Sequence, residues 1–286
     1  MIARTVPIGA VAALVIAATS VGVSAHAPAT SQIEQIETAT AAAPIAEAQR
    51  LFYNARYEEA AALLAGLCTR GATDLTGCEL RSASLLFQIK RALGPEAGKD
   101  QAWERCGACP ALTAAFVAET AIGQAAARAR LRADPLHEAS LFFLGKLDLN
   151  YVWLQLGLRG RRTGWSEYRE ARRSLDKVVE RNPGHVRARV ARAWIDYIVD
   201  TKMPRGTKWL LGGGNKMRGL AAVREAAATD AEAFVHAEAR FALWDMLARE
   251  RNFAEAVPLA RELVREFPDN RDLTTFLEAH DSAPSR

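Results

Sequence analysis

The stretch from Ala237 to Asn270 sets the terms on which this chain folds. It reads AEARFALWDMLARERNFAEAVPLARELVREFPDN. Leu243, Trp244 and Leu247 share one face of a helix, and Arg251–Asn252 interrupts it. A second helix then carries Phe253, Ala256, Ala260 and Leu263. Alanines spaced at i and i+4 let two helices approach closely, with Phe253 expected to plug the hairpin between them. Pro268 forbids continuation of the second helix. The same aromatic-x-x-Ala spacing recurs at Tyr57–Ala60 and at Tyr168–Ala171. A chain that repeats one helical hairpin buries each apolar face against the next copy rather than in one layered core.

This unit resembles the tetratricopeptide repeat, a helix–turn–helix of about 34 residues. The resemblance lies in the aromatic-x-x-Ala turn, the mid-helix Ala260 and the final Pro268-x-Asn270; Trp244 stands where that family has a small residue. It implies an all-α, right-handed superhelical solenoid in which the first helix of each hairpin lines a concave groove. It covers Glu138–Asn270 closely, Ala46–Leu67 in part and the region between loosely. Trp209–Lys216, which reads WLLGGGNK and opens a helix within the repeats, is also similar to exported bacterial repeat proteins. Among these is the T-component of tripartite ATP-independent transporters, with a Gly-Gly turn at a similar place. One scaffold of this kind serves many tasks, so the resemblance implies an interaction fold and not a ligand.

The first residues point to an address. Arg4 precedes an apolar run from Ile8 to Val23, and Ala25-His26-Ala27 is an A-x-A cleavage signature. The expectation is a secretory signal peptide over 1–27, cleaved near Ala27, and a protein exported to the periplasm or secreted. No cysteine lies near Ala27 to accept a lipid. Loss of that segment removes one Arg and no acid, taking the net charge from +4 to +3. Net charge therefore selects no partner class. Alanine, leucine, arginine and glutamate dominate, and no segment alternates apolar with polar β-branched residues, so essentially no sheet is expected.

Residues 28–44 read as a flexible leader, and 45–135 as N-terminal helical repeats holding two cysteine pairs. Helix pairing between 68 and 135 is open, and Ala111–Ala133 reads as a helix in one piece or two. Residues 136–270 read as tetratricopeptide-like repeats, with a long first helix running through Tyr151, Trp153 and Leu156. Leu273, Phe276 and Leu277 mark a capping helix within 271–286, ahead of a frayed tail.

Candidate chemistry is sparse. Cys106-x-x-Cys109 ahead of Pro110 offers a thiol–disulfide oxidoreductase reading, which needs a thiolate at a helix N-terminus. No βαβ pattern surrounds it, and an even cysteine count in an oxidising compartment favours structural bridges. Cys68–Cys78 and Cys106–Cys109 are the simplest pairs, worth ~3 and ~2 kcal/mol by chain entropy. Gly206–Gly214 lacks the Gly-Lys-Ser/Thr end of a phosphate loop. His137, His185, His236 and His280 have no metal-ligand or triad spacing. No catalytic residue, cofactor or metal is assigned.

By register, the groove candidates are Phe142, Lys146 and Asn150, then Val190, Trp194 and Tyr197, then Phe241, Asp245 and Arg249. Two enlarged turns of neighbouring repeats, 157–164 and 200–215, supply a basic edge. Its residues are Arg159, Arg161, Arg162, Lys202, Arg205, Lys208 and Lys216, with Trp209 beside them. The leading expectation is a non-catalytic scaffold in the periplasm or cell envelope that binds protein partners. An anionic lipid or polymer surface is a second candidate, nucleic acid is not expected, and a small-ligand or lipid-binding accessory of a transport system is the alternative.

Overall fold

A computed structural model of the chain describes residues 43–69, 75–94, 99–160, 163–202 and 212–280, which fall within one compact unit. The expected signal segment 1–27, most of the expected leader and the tail lie outside these residues, as do Arg161, Arg162, Arg205, Lys208 and Trp209. The described residues contain helices and no strand. Helix α1 spans 43–53 and so takes in the end of the expected leader, with Pro44 in its first turn, where a missing N–H costs nothing.

Among the described residues, five hairpins follow in chain order. Helix α1 turns into α2 (Tyr57–Leu63), and α3 (Leu75–Leu93) pairs with α5 (Cys109–Ala133) across a short inserted helix α4 (Lys99–Arg105). Helix α6 (Glu138–Val152) pairs with α7 (Trp165–Arg181), α8 (Val186–Lys202) with α9 (Lys216–Ala227), and α10 (Ala233–Arg249) with α11 (Phe253–Glu266). Each second helix packs on the next first helix, and α12 (Arg271–His280) covers α11. The fold is a solenoid of tetratricopeptide-like helix–turn–helix repeats. It settles the pairing between 68 and 135: α5 is one continuous helix and α4 is the insert. Cys68–Cys78 ties the end of the first hairpin to α3, and Cys106–Cys109 closes the α4–α5 turn.

The local chemistry repeats with the fold. Ala60, Ala171 and Ala256 are all 0% exposed, so each aromatic-x-x-Ala places its alanine in the buried interior. Tyr57 and Tyr168 are buried, but half-buried Phe253 stacks on His280 of α12, 4.1 Å between rings, rather than plugging its own hairpin. Helix α12 packs against α11 and supplies the surface that Phe253 meets. Asp134, Asn182 and Phe267, each before a proline, end α5, α7 and α11 at φ −134°, −132° and −128° with ψ 95°, 82° and 70°. The ring of the next residue excludes the helical region there. Gly145 has a local reason too: a Cβ at this position would lie 2.7 Å from Leu175 Cγ, where α6 meets α7.

The described histidines make local structural contacts. His137 Nδ1 accepts from Ser140 N and His185 Nδ1 from Ala188 N, capping α6 and α8. His236 Nε2 sits 2.9 Å from the Ala227 carbonyl. Helix α6 runs on through a π-helical turn, Trp153–Leu158, which accounts for its unusual length.

The stack does not remain open. The end of α1 meets the last hairpin: Tyr53 stacks on Phe241 at 5.2 Å and lies 5.5 Å from Phe267. Asn270 Nδ2 donates to the Tyr53 carbonyl at 2.7 Å, and Asp269 N donates to Asn54 Oδ1 at 3.1 Å. First and last repeats therefore touch, and the inner surface is enclosed at this end.

Candidate functional site

The first helices α1, α3, α6, α8 and α10 converge on a charged centre. Lys146 of α6 bonds Glu238 of α10 at 2.6 Å and lies 3.6 Å from Glu79 of α3. Arg187 of α8 bonds Glu79 at 3.1 Å and also pairs with Glu238. Its guanidinium lies 4.9 Å from the centre of the Phe142 ring. Side-chain exposure is 4% for Glu79, 13% for Glu238, 18% for Lys146 and 19% for Arg187. Two acids and two bases thus neutralise each other in a partly desolvated place.

The electrostatics follow from that geometry. Burial pushes the Glu238 carboxyl up, but Arg187 and Lys146 together outweigh burial and hold it at about 2. Burial pulls Lys146 and Arg187 down, and Glu238 and Glu79 more than reverse this, so both cations are held above their ordinary values. Burial, reinforced by Glu238, raises the Tyr53 hydroxyl well above its ordinary value. Glu238, Lys146 and Arg187 are thus each held in the charged form by their partners.

The opposite end of the same helices is aromatic. Trp153 of the π-helical turn meets Trp194 of α8 edge-on at 6.4 Å, and Trp194 meets Tyr197 at 5.6 Å. The Arg249 guanidinium lies 5.6 Å from the Trp153 ring and 5.7 Å from that of Trp194, anchored by Asp245 at 2.9 Å. Tyr197 donates to Glu250 at 2.9 Å, and Glu250 also binds Lys216. The Lys216 bond holds the Glu250 carboxyl below its usual range. Trp153, Trp194 and Asp245 are half-buried and Arg249 is exposed, so this end faces solvent.

The predicted groove residues divide accordingly. Phe142, Val190 and Tyr197 are 2%, 2% and 4% exposed and belong to the core, a correction to their groove assignment. Each packs between neighbouring repeats because the hairpins close tightly at alanine and glycine. Lys146 joins the charged centre, Phe241 carries the Tyr53 ring, and Asn150 reaches Ser82 Oγ at 3.5 Å. Trp194, Asp245 and Arg249 form the aromatic end. Of the basic edge, Arg159 lies 4.9 Å from the Trp103 ring of the α4 insert, Lys202 is exposed, and Lys216 is paired with Glu250. The end of the second enlarged turn touches the preceding repeat, where Arg172 of α7 donates to the Gly212 carbonyl at 2.8 Å.

Sequence reasoning missed Tyr53, Glu79, Arg187, Glu238 and Trp153 as inner-surface residues. Arg187 and Glu238 sit one turn before Val190 and Phe241, so carrying the stripe one turn further finds both. Glu79 lies where the pairing was open. As a metal group, Cys68, Cys78 and Glu119 come within 4.8 Å of one another, but both sulfurs are in a disulfide and Glu119 is paired with Arg81. Cys109 is 0% and Cys106 9% exposed, which leaves an attacking thiolate little access to the second bridge.

No known family profile matches the chain, and no curated protein sequence does. Among solved structures, the chain is similar to a thermophilic TPR protein of Thermus thermophilus. That alignment covers 84% of this chain and 98% of the other, at 14% identity and a TM-score of 0.46.

Proposed function

We propose that the chain is an exported, non-catalytic scaffold that binds a protein partner in the bacterial envelope. The supporting observation is the solvent-facing end of the inner surface, where Trp153, Trp194 and Arg249 stand beside Asp245. Indole rings and an oriented guanidinium are the residue types that dominate protein recognition. Exposed Lys202 extends the same end toward the basic edge. The export reading rests on Arg4, the apolar run and Ala25-His26-Ala27.

Cross-linked capture from envelope extracts, comparing the mature protein with an Arg249→Glu/Lys202→Glu variant, tests the surface. A partner held by the wild type and lost by the variant is expected. Identical capture by both sinks the assignment. Fusing residues 1–45 to alkaline phosphatase, which is active only outside the cytoplasm, tests the address; an inactive fusion refutes it.

A further inference from the structure

The contact between first and last repeats joins elements that are not neighbours along the stack. Hairpins pack through buried alanine and leucine between sequential elements. The closing joint uses the Tyr53 ring against Phe241 and Phe267, two hydrogen bonds and an Arg56–Asp269 pair at 4.0 Å between exposed side chains. In a solenoid each repeat is stabilised by its neighbours, so no hairpin needs this joint in order to fold. A cavity of about 210 Å³ runs along it, with Gln49, Tyr53 and Glu79 on one side and Arg187, Glu232 and Glu238 on the other. The Tyr53 ring does not fill the space beside it.

The charged centre is built so that opening leaves no charge stranded. Glu79–Lys146 and Arg187–Glu238 each join adjacent repeats and survive a separation of the two ends. Only Glu79–Arg187 and Lys146–Glu238, which span two repeats, are broken. Each half then remains neutral.

What α1 presents to the last repeat has the form of a ligand. The Tyr53 ring rests on Phe241 and against Phe267. Its carbonyl, an orphan acceptor at a helix C-terminus, is taken by Asn270 Nδ2. Asn270 is held for this by its other amide atom, because Oδ1 accepts from Leu273 N in the first turn of α12. The Asn54 side chain receives the Asp269 N–H. Ring, terminal carbonyl and side-chain amide are each read by a separate group.

We propose that this seat on the last repeat is a partner-recognition site held shut by α1. The partner presents an aromatic residue followed by asparagine at a helix C-terminus, as Tyr53–Asn54 does. This rests on the scaffold reading and specifies its partner.

The probe is a fluorescein-labelled synthetic peptide of residues 43–56, titrated by anisotropy into the full mature chain and into a full-length Tyr53→Ala/Asn54→Ala variant. Emptying the seat should tighten peptide binding at least tenfold, and a peptide carrying the same two alanines should not bind. A full-length Asn54→Ala variant, which keeps the ring stack, should fall between the two and covers the event that the double variant unfolds. Equal binding by wild type and variants overturns the proposal, as does equal binding of the two peptides. Concentration-dependent dimerisation of the wild type in sedimentation would assign the seat to a second copy and overturn the partner. None of these outcomes depends on envelope capture, so the scaffold reading fails or stands separately.

Discussion

Glu238→Gln is the perturbation that best tests whether the charged centre acts as a unit. It leaves Lys146 and Arg187 sharing Glu79, one positive charge in excess among side chains no more than 19% exposed. Removing one partner from a buried ion pair costs ~3–5 kcal/mol. Residual exposure places this case near the lower value, ~3 kcal/mol. Lys146→Met leaves the opposite excess and should cost about the same. The double variant restores neutrality as Arg187 with Glu79, already 3.1 Å apart, and methionine fills the volume of the lysine stem. Its cost should be ~3 kcal/mol and not the ~6 of simple addition, a coupling of ~3 kcal/mol, the upper range for residues in contact. Urea unfolding at pH 7, followed by two probes with the m-value checked for constancy, measures all four corners. Acid supplies a second reading. The Glu238 carboxyl is held at about 2 against an ordinary 4.5, so its contribution is complete above pH 4.5 and lost as pH falls toward 2. That loss should be absent from the Glu238→Gln variant. Additivity within ~0.5 kcal/mol would refute the reasoning, because the four groups would then contribute independently.

Two further outcomes are expected. Asp148 is 0% exposed, and burial together with the Glu170 charge pushes its carboxyl up to about 8, against the pull of Arg128. A folded value above the unfolded 3.8 favours the fold at low pH, and that advantage is lost between pH 4 and 8 by at most ~1.4 kcal/mol per unit. Asp148→Asn keeps an acceptor for Gln124, so it should raise the melting temperature at pH 8–9 and change little at pH 4; an equal effect at both would show that Asp148 ionises freely in the fold. Ala256→Leu should overpack the α10–α11 contact and cost ~1–3 kcal/mol in denaturant, and an unchanged midpoint would remove Ala256 from that contact.

Much of the fold was legible because a solenoid is local. Tyr57-x-x-Ala60 and Phe253-x-x-Ala256 mark hairpin turns, and both turns also contain a residue in the left-handed region, Ala55 at φ 58° and Arg251 at φ 56°. Residue-before-proline geometry at Asp134, Asn182 and Phe267 is dictated by sequence neighbours alone. Between 68 and 135 this legibility fails for a physical reason. The α4 insert separates α3 from α5, so the pairing depends on contacts such as Trp103 Nε1 donating to the Leu158 carbonyl at 3.0 Å, 55 residues away.

The inner surface was harder to read because its chemistry is long-range. Val190, Trp194 and Tyr197 share a helical stripe, and periodicity does not say whether such a stripe faces a groove or a neighbouring repeat. The charges do carry that information. Lys146, Arg187 and Glu238 sit one turn from apolar positions on otherwise apolar faces, and each would be too costly to bury alone. A cation on one first helix therefore requires an acid on another, and the four-membered centre is the smallest arrangement that satisfies both cations. Tyr53 and Asn270, 217 residues apart, carry no such signature, since a tyrosine at a helix end and an asparagine after a proline are ordinary repeat features. Charge inside an apolar stripe thus announces that first helices converge, whereas the neutral contacts that decide how far the stack closes are visible only in three dimensions.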